Sequence, residues 1–443
     1  MQHTHGARTY SLGEVWRLFL PLSFSDIIMV LSGPILTAGL ARLPDVTVNL
    51  AAYSVAESVC MVIESPVIML LHASTALARS PMAFRALRRF MLLLALLLTA
   101  LHALVAFTPL YDTVFAGWLH QPGPVVDAGR HAMRVMLLWS AAIGWRRFYQ
   151  GLLIVHRRST QIFRAALGRL GTVAATVLLG VLFRLNGALV AGLALQLSVL
   201  VEAGLITHFA LPLQRTALAA PEPPEAPGLP RSFPGVSAWY APLIITALLA
   251  WTARPFVNAA IARAEGATLA LAAWPVAWTT YTLLADAVRM VQQLVITLVR
   301  DAESYRILRR FALLVTAVVA AGMTVLTFTP LARLYLEQVI GVSGDLAAVT
   351  LVGLRILFLI PALSCWQNFY QGLLIRRGQT GLVNAAAAAG GLTLIAGLIA
   401  GVVAGRWGGM AIAAVATLVS LLVELSVLWL ATRSARAELG LAA

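Results

Sequence analysis

Residues 148–154 read FYQGLLI, and residues 369–375 read FYQGLLI again, 221 positions later. Further matches keep the same offset. They are Arg88-Arg89-Phe90 with Arg309-Arg310-Phe311, Thr108-Pro109 with Thr329-Pro330, Pro34 with Pro255, Arg42 with Arg263, and Pro21-Leu22 with Pro242-Leu243. Matches at one constant spacing indicate that the chain is a tandem repeat of two halves.

The composition of the 443-residue chain is far more apolar than that of a soluble protein. Hydrophobic residues make up 60% of it, charged residues make up 11%, and the mean hydropathy is +0.86. Soluble domains have about 45–50% apolar and about 25% charged residues. These values exclude a soluble enzyme and indicate a membrane protein.

The net charge of +14 comes from 32 basic residues, all of them arginine. They are scattered between apolar runs and form no basic face, so nucleic-acid binding is not expected.

The two cysteines, Cys60 and Cys365, lie inside apolar runs and suggest neither a disulfide nor a metal site. The first apolar run is too long for a cleavable signal peptide and lacks a small-residue cleavage site.

Apolar runs of the roughly 20 residues that a helix needs to cross a bilayer occur twelve times. They lie near 16–40, 50–75, 87–108, 130–155, 162–183, 187–211, 238–262, 268–297, 308–330, 347–375, 379–404 and 409–431. The expected fold is an all-α polytopic membrane protein, with two parallel six-helix bundles at 1–212 and 237–443. A proline-rich cytoplasmic linker is expected at 213–236.

The arginines also predict the topology of the chain. If the N-terminus is cytoplasmic, 19 of them fall in inner segments and 6 in outer segments. The outer six are Arg42, Arg130, Arg184, Arg263, Arg333 and Arg406. Because positive residues concentrate on the cytoplasmic side, both termini are expected inside, in a bacterial-type inner membrane. Two parallel halves place the substrate site at their interface, near the bilayer midplane.

Charges inside the expected spans do not follow the repeat. Asp26, Glu57 and Glu64 align with Ala247, Trp278 and Ala285, whereas Arg254, Asp286 and Arg289 align with Gly33, Ser65 and Ile68. A charge near the bilayer centre costs about 2.5–3.5 kcal/mol even on an insertion scale, so such residues usually face a cavity. The unduplicated charges are therefore the candidates for function.

Helical spacing groups these candidates on faces that we expect to line one central cavity. Its substrate-binding residues are predicted to be Trp251, Arg254 and Asn258 on the seventh span, with Trp278 and Arg289 on the eighth. Its ion-coupling residues are predicted to be Asp26, Glu57, Glu64 and Asp286.

Structural interpretations compete with these assignments. Asp286 and Arg289 are three residues apart and could simply neutralise each other, and Glu64 and Asp286 could be solvated near helix ends. Glu202 and Glu424 are nearly duplicated and indicate structural partners of the inner arginines. Arg146 and Arg147 are expected at the membrane interface, with their side chains reaching the cytoplasm.

The chain has no Walker loop, no zinc-ligand spacing and no nucleophile elbow. We therefore expect a transporter rather than an enzyme, with no cofactor and no direct use of ATP.

Two six-helix halves with an inner linker resemble the multidrug and toxin extrusion (MATE) transporters and their wider superfamily, which includes lipid-linked-precursor flippases. The second half resembles the progressive ankylosis family. The matching stretches are Arg254-Pro255-Phe256-Val257-Asn258, Trp274-Pro275-Val276, Phe328-Thr329-Pro330, Ile340-Gly341-Val342 and Leu354-Arg355-Ile356, with Leu50-Ala51-Ala52-Tyr53 in the first half. The resemblance implies export of small organic or phosphate-bearing anions, and it carries over Arg254, Asn258 and Arg355 as matching positions. Where MATE exporters usually place a coupling acid in the first helix, this chain has Gly33-Pro34.

The function expected from the sequence is alternating-access export of a small, anionic organic solute by a monomer, coupled to H+ or Na+. A multidrug exporter of organic cations is the first alternative, and a lipid-linked-precursor flippase is the second. A membrane scaffold without transport is disfavoured by the intramembrane charges.

Overall fold

The computed structural model describes residues 11–78, 80–156, 158–219, 230–377 and 379–433. These residues form helices joined by short turns, with no strand among them. The expected all-α membrane fold is confirmed.

The helices of the described residues are as follows. In chain order they are α1 (Leu12–Val30), α2 (Ser32–Leu40), α3 (Val46–Ile68), α4 (Leu70–Leu77), α5 (Pro81–Phe107), α6 (Leu110–Asp112), α7 (Gly123–Val135), α8 (Trp139–Val155), α9 (Ser159–Leu182), α10 (Gly187–Ala219), α11 (Phe233–Trp251), α12 (Ala253–Ala262), α13 (Ala267–Val288), α14 (Met290–Leu298), α15 (Ala302–Phe328), α16 (Leu331–Leu334), α17 (Gly344–Leu357), α18 (Ile360–Arg376), α19 (Thr380–Ala404) and α20 (Gly409–Ala431). Two π-helical segments, Thr113–Trp118 and Tyr335–Ile340, follow α6 and α16, and a 3-10 turn, Met136–Leu138, joins α7 to α8.

Each of the twelve expected spans overlaps one helix or one interrupted pair of helices. Among the described residues, eight helices or pairs are long and apolar enough to cross a membrane by length and composition. They are Val46–Leu77, Pro81–Phe107, Thr160–Leu182, Gly187–Arg215, Ala302–Phe328, Gly344–Arg376, Gly381–Ala404 and Gly409–Ala431. The expected spans near 16–40, 130–155, 238–262 and 268–297 are also helical, but each is interrupted.

The interruptions fall at matching places in the two halves. The first span breaks at Leu31 and the seventh at Thr252, three residues before Pro34 and Pro255. A proline ring clashes with the carbonyl four residues earlier and removes one helical hydrogen bond, which favours a kink or a break at these two points. The second and eighth spans break at Met69 and Arg289. The first two spans of each half are thus interrupted at corresponding places.

The expected linker is shorter than 213–236. Helix α10 continues to Ala219, and α11 begins at Phe233 with Ser232 capping its N-terminus. Residues 213–219 contain Leu, Gln, Arg and Ala, which favour helix, and the next proline is Pro221. Residues 220–229 lie outside the described residues.

The first helix of each half packs against the opposite half. Helix α1 packs against α13, α14 and α15 of the second half, and α11 packs against α3 and α5 of the first. The central contact joins α3 to α13. Both halves therefore form the walls of any space near α3, α12 and α13.

Large apolar side chains remain exposed on the outward faces of the helices. Leu96 of α5 is 66% exposed, Val318 of α15 is 65% exposed and Val403 of α19 is 80% exposed. Such faces need hydrocarbon around them rather than water. The exposed leucines and valines therefore mark the surface that the acyl chains of the bilayer cover.

Two arginines join the halves on the side of the molecule opposite the termini, which we call the distal side. Arg42, just after α2, donates to the carbonyl oxygens of Gln338, Val339 and Ile340 over 3.2, 3.0 and 2.8 Å. These carbonyls lie at the end of the second-half π-helical segment, where the last carbonyls lack partners inside the helix. The Arg42 guanidinium therefore caps an element of the opposite half.

Arg263, the repeat equivalent of Arg42, makes the reciprocal contact. Its guanidinium donates to the carbonyl oxygen of Trp118 over 2.7 Å and lies 2.9 Å from Nδ1 of His120, at the end of the first-half π-helical segment. We call these two contacts the arginine latches. They connect the two halves on the distal side.

Gly341 leaves room for the Arg42 latch. Its backbone has φ +93°, and a Cβ there would lie 3.1 Å from the Arg42 guanidinium. Glycine adopts positive φ without the steric cost that other residues incur. His120, the repeat equivalent of Gly341, also has positive φ, at 54°.

Candidate functional site

A cavity of about 110 Å³ lies between the two halves, beside the break that precedes α12. Its walls come from α3 of the first half and from α12, α13, α19 and α20 of the second. They comprise Tyr53, Ser54, Glu57, Ser58, Ala253, Arg254, Val257, Asn258, Trp274, Pro275, Trp278, Thr279, Leu394 and Thr417. We call this space the central cavity.

Arg254 is the cation of the central cavity. It lies in the first turn of α12 and is half-buried. Its guanidinium carbon is 5.1 Å from the ring centroid of Trp251 and 5.0 Å from that of Trp278. Aromatic rings stabilise a nearby cation through their quadrupoles. The two indoles therefore hold a positive charge at the wall of the cavity.

Glu57 brings a carboxyl group to the same cavity from α3 of the first half. It is half-buried and lies one helical turn after Tyr53, close enough to Arg254 for their charges to interact. The ion pairs formed by the described residues do not include Glu57 with Arg254. An acid from one half and a base from the other therefore share one cavity without a direct contact.

Asn258 links the two halves at the floor of the cavity. Its Oδ1 accepts a hydrogen bond from Ser54 Oγ over 3.3 Å, and its Nδ2 donates to the Ser54 carbonyl over 3.1 Å. The residue is only 2% exposed. Its amide is thus already engaged across the interface, and substrate contact through that group would require these bonds to open.

The remaining expected site residues lie in different places. Trp251 contacts Arg254 without forming part of the cavity wall. Asp286 is half-buried near the end of α13 and Arg289 is exposed at the break after it. The side chain of Asp26 lies outside the described residues. Glu64 belongs to a second cluster of charges inside the first half.

This second cluster, which we call the buried charge network, joins α3, α8, α9 and α10. Arg146 donates to Glu202 Oε2 over 2.7 Å, and Arg169 lies 3.5 Å from the same oxygen. Glu64 and Arg147 are close enough to add their charges. The expectation that Arg146 lies at the membrane interface is wrong, because its side chain is only 4% exposed and points to Glu202.

Some polar atoms of the buried charge network have hydrogen-bond partners and others have none. Glu64 Oε2 and the Nε atoms of Arg146, Arg147 and Arg169 are buried without a hydrogen-bond partner. A buried charge of this kind is costly unless it is paired. The carboxyl of Glu64, 4% exposed, is thus positioned among cations with spare bonding capacity.

The second half keeps the carboxylate of this network and replaces its cations. Glu424 accepts from Gln371 Nε2 over 3.2 Å. At the positions equivalent to Arg146, Arg169 and Glu64 the second half has Gln367, Gly390 and Ala285. The charged version of this element therefore exists in one half only.

Sequence reasoning missed several walls of the central cavity. Tyr53, Ser54 and Ser58 were not singled out, although they lie one turn or one residue from Glu57 on α3. The spacing of Ser54 and Ser58 around Glu57 was an available signal. No sequence signal pointed to Leu394 of α19 or Thr417 of α20, because only tertiary packing brings these helices to α12.

Three solved structures show what this fold resembles, whereas no family model and no curated protein matches the chain. An inward-facing multidrug resistance MATE family transporter of the MOP superfamily has a TM-score of 0.72 and 14% identity, covering 94% of this chain and 95% of the other. An outward-facing MATE transporter has a TM-score of 0.58 and 17% identity, covering 99% of both chains. The lipid II flippase MurJ, in an inward closed conformation, has a TM-score of 0.68 and 13% identity, covering 94% and 87%.

These comparisons establish a MATE-like fold. The narrower resemblance to the progressive ankylosis family stays a prediction.

Proposed function

We propose that this protein is a secondary active transporter that exports a small organic anion by alternating access. The observation that carries the proposal is Arg254, a cation held between two indoles in a cavity lined by both halves. Relative motion of the halves would expose that cavity to one side of the membrane and then to the other.

The setting of Arg254 supports an anionic substrate. Its guanidinium carbon lies over the rings of Trp251 and Trp278, and a planar guanidinium can offer N–H groups in pairs to a carboxylate or a phosphate. Charge attraction is stronger in the low dielectric of a buried cavity than in water. A substrate anion would thus be selected by charge and by bidentate geometry.

Coupling to H+ or Na+ is assigned first to Glu57, with Glu64, Asp26 and Asp286 as further candidates. Glu57 shares the central cavity with Arg254, so a cation on its carboxylate would change the field that the substrate experiences. Binding of the coupling ion and of the anion would then depend on each other. Glu64, buried among the cations of the charge network, could respond to the same ion at a distance from the substrate.

The substrate assignment is tested with purified full-length protein in proteoliposomes. The probes are radiolabelled succinate, radiolabelled glycerol phosphate and the cationic dye ethidium. We expect uptake of at least one of the two anions, and at least a tenfold loss of it in both Arg254→Ala and Arg254→Lys, since lysine keeps the charge but not the planar fork. Arg406→Ala, at an exposed arginine, is the control. Undiminished anion uptake in Arg254→Ala would reject the assignment.

The coupling assignment has a separate test. Glu57→Gln keeps the shape of the side chain and removes its charge, so we expect anion uptake that no longer varies with pH or Na+. Asp26→Asn, Glu64→Gln and Asp286→Asn are measured beside it. A Glu57→Gln profile identical to that of the wild type would remove this residue from coupling.

Export of organic cations is the second candidate, and the wall around Glu57 favours it. Tyr53, Trp274 and Trp278 line the same cavity as that carboxyl group, and aromatic rings are a suitable lining for a flat cation. Ethidium transport that is lost in Glu57→Gln and kept in Arg254→Ala would establish this function instead.

A further inference from the structure

An apolar crevice of about 700 Å³ lies beside the central cavity, on the other face of α12. Val59 and Ile63 of α3 and Leu101 of α5 form its first-half wall. Ala259 of α12 and Val402 of α19 belong to its second-half wall. Its lining is almost wholly hydrocarbon, so water gains little there and an apolar occupant is favoured.

The crevice opens sideways, toward the lipid. Phe256, Ile399 and Val403 belong to its lining, yet they are 48%, 59% and 80% exposed on the surface of the protein. These side chains lie on the membrane-facing surface described above. The space is therefore in direct contact with the acyl chains of the bilayer.

Its depth is that of one leaflet. Along α12 the lining runs from Pro255 to Arg263, which corresponds to about 12 Å at the helical rise of 1.5 Å per residue. Half of a hydrocarbon core of about 30 Å is about 15 Å. The crevice thus extends from the distal surface to the region of the midplane.

The distal end of the crevice carries the groups that a phospholipid headgroup needs. Arg263 and Trp118 lie there, and Trp118 is 67% exposed. Arginine binds phosphate, and tryptophan is enriched at the level of the headgroups. Two of the Arg263 nitrogens already bind Ala259 and Trp118, but the guanidinium keeps its full charge at the mouth of the crevice.

We propose that a phospholipid of the distal leaflet binds here, with an acyl chain in the crevice and its phosphate beside Arg263. This lipid is a structural ligand, separate from the transported anion of the central cavity. Because the walls belong to both halves, the bound chain fills the seam between α3 and α12 in the conformation that has the distal side closed. Anionic headgroups are favoured over zwitterionic ones by the charge of Arg263.

The experiment uses the full-length protein in nanodiscs that contain a phosphatidylglycerol with a photoreactive group near the end of its acyl chain. After irradiation, labelled residues are mapped by mass spectrometry. We expect labelling of Val59, Ile63 and Ala259 in excess of labelling on the outward face of α5. Equal labelling of both surfaces would show a general lipid annulus and overturn the proposal.

Crevice-filling variants provide the second arm. Ala259→Trp and Val402→Trp fill the space from α12 and α19, and each should reduce crevice labelling at Val59 and Ile63 at least fivefold. Leu96→Trp, on the exposed face of α5 and outside the crevice, is the matched control and should leave labelling unchanged. Labelling that persists in both filling variants would contradict the site, since the two substitutions act from different helices.

The headgroup assignment is tested by competition of unlabelled phosphatidylglycerol against phosphatidylcholine. We expect the wild type to prefer phosphatidylglycerol and Arg263→Gln to lose that preference. Arg42→Gln opens the other latch without touching the crevice, so it should retain the preference. Loss of the preference in both variants would trace it to the latches and contradict a phosphate contact at Arg263.

Discussion

Glu202 and Glu424 occupy nearly equivalent positions in the two halves but have opposite surroundings. Glu202 is bound by Arg146 and approached by Arg169, whereas Glu424 accepts from the neutral amide of Gln371. Removing one member of a buried ion pair leaves the other charge unpaired. The duplicated carboxylates therefore allow the same substitution to be tested in two electrostatic settings within one protein.

We predict that Glu202→Gln lowers the free energy of unfolding by about 3–5 kcal/mol, because Arg146 and Arg169 would lose the carboxylate that they contact. Glu424→Gln should cost no more than about 1–2 kcal/mol, as expected for one rearranged hydrogen bond. Thermal unfolding of the purified proteins in the same detergent measures the difference. Equal destabilisation by the two variants would contradict the special role of the arginines.

Residue-level prediction from the sequence brought together only part of the expected site. The cavity contains Glu57, Arg254, Asn258 and Trp278, whose expected proximity depended only on helical spacing and internal comparison. The prediction for Arg146 was wrong. Whether this side chain reaches solvent or a buried carboxylate depends on the positions of α8 and α10, which the sequence alone does not give. The functional roles of all these residues stay predictions.

At the N-termini of α5 and α15, a single side chain caps the helix. Asp301 caps α15, and Ser304 donates its backbone N–H to Asp301 Oδ1 over 2.8 Å, with its hydroxyl also 2.8 Å from that oxygen. These hydrogen bonds hold the pKa of the Asp301 carboxyl below its usual value. Ser80, the repeat equivalent, caps α5 by accepting from the backbone N–H of Ala83 over 3.1 Å.

We predict that Asp301→Ala lowers the unfolding temperature at pH 7, by the equivalent of about 1 kcal/mol for a lost cap. A carboxyl whose folded-state pKa is depressed stabilises the fold above its unfolded pKa of about 3.9, and this contribution is lost as the pH falls through the folded value. The difference from wild type should therefore shrink as the pH falls below the unfolded value of about 3.9. Ser80→Ala should show no such pH dependence, since a hydroxyl does not titrate in this range. A constant Asp301→Ala effect across pH would contradict the argument.

The arginine latches connect elements of the two halves on the distal side. Each latch joins a guanidinium of one half to the end of a π-helical segment of the other. The sequence showed that Arg42 and Arg263 match at the 221-residue offset and predicted that both lie on the outer side. The hydrogen bonds that these arginines make to the opposite half could not be predicted. They depend on a π-helical segment, and no local sequence pattern predicts that segment.

We predict that Arg42→Ala together with Arg263→Ala shifts the protein toward a distal-open conformation. Ser54→Cys, in the wall of the central cavity, should then react at least fivefold faster with a membrane-impermeant maleimide added from the distal side. Cys60 and Cys365 are fully buried, so the native background is small. Arg333→Ala removes an exposed distal arginine outside the latches and should not change the rate. An unchanged rate in the double variant would show that the latches do not keep the distal side closed.

At the scale of the whole molecule, the two halves share their scaffold and differ in where their buried charges lie. The breaks at Leu31 and Thr252, the two latches and the pair Glu202 and Glu424 recur in both halves. The breaks were predictable because Pro34 and Pro255 match at the 221-residue offset, and the two latch arginines match at the same offset, whereas Glu202 and Glu424 are 222 residues apart. The buried charge network lies in the first half, and the Arg254 contact with its indoles lies in the second. We infer a division of labour, in which the first half senses the coupling ion and the second holds the substrate.

The orientation of the whole molecule is the last prediction, and it depends only on the distribution of arginine. With 19 arginines on the side of the termini and 6 on the distal side, the termini should be cytoplasmic. Single cysteines at Ser80, on the side of the termini, and at Asp345, on the distal side, report the orientation against the buried native cysteines. In intact cells whose outer membrane has been made permeable, an impermeant maleimide should label Asp345→Cys and leave Ser80→Cys unlabelled until the inner membrane is disrupted. The reverse pattern would invert the proposed direction of export, since the closed latches would then face the cytoplasm.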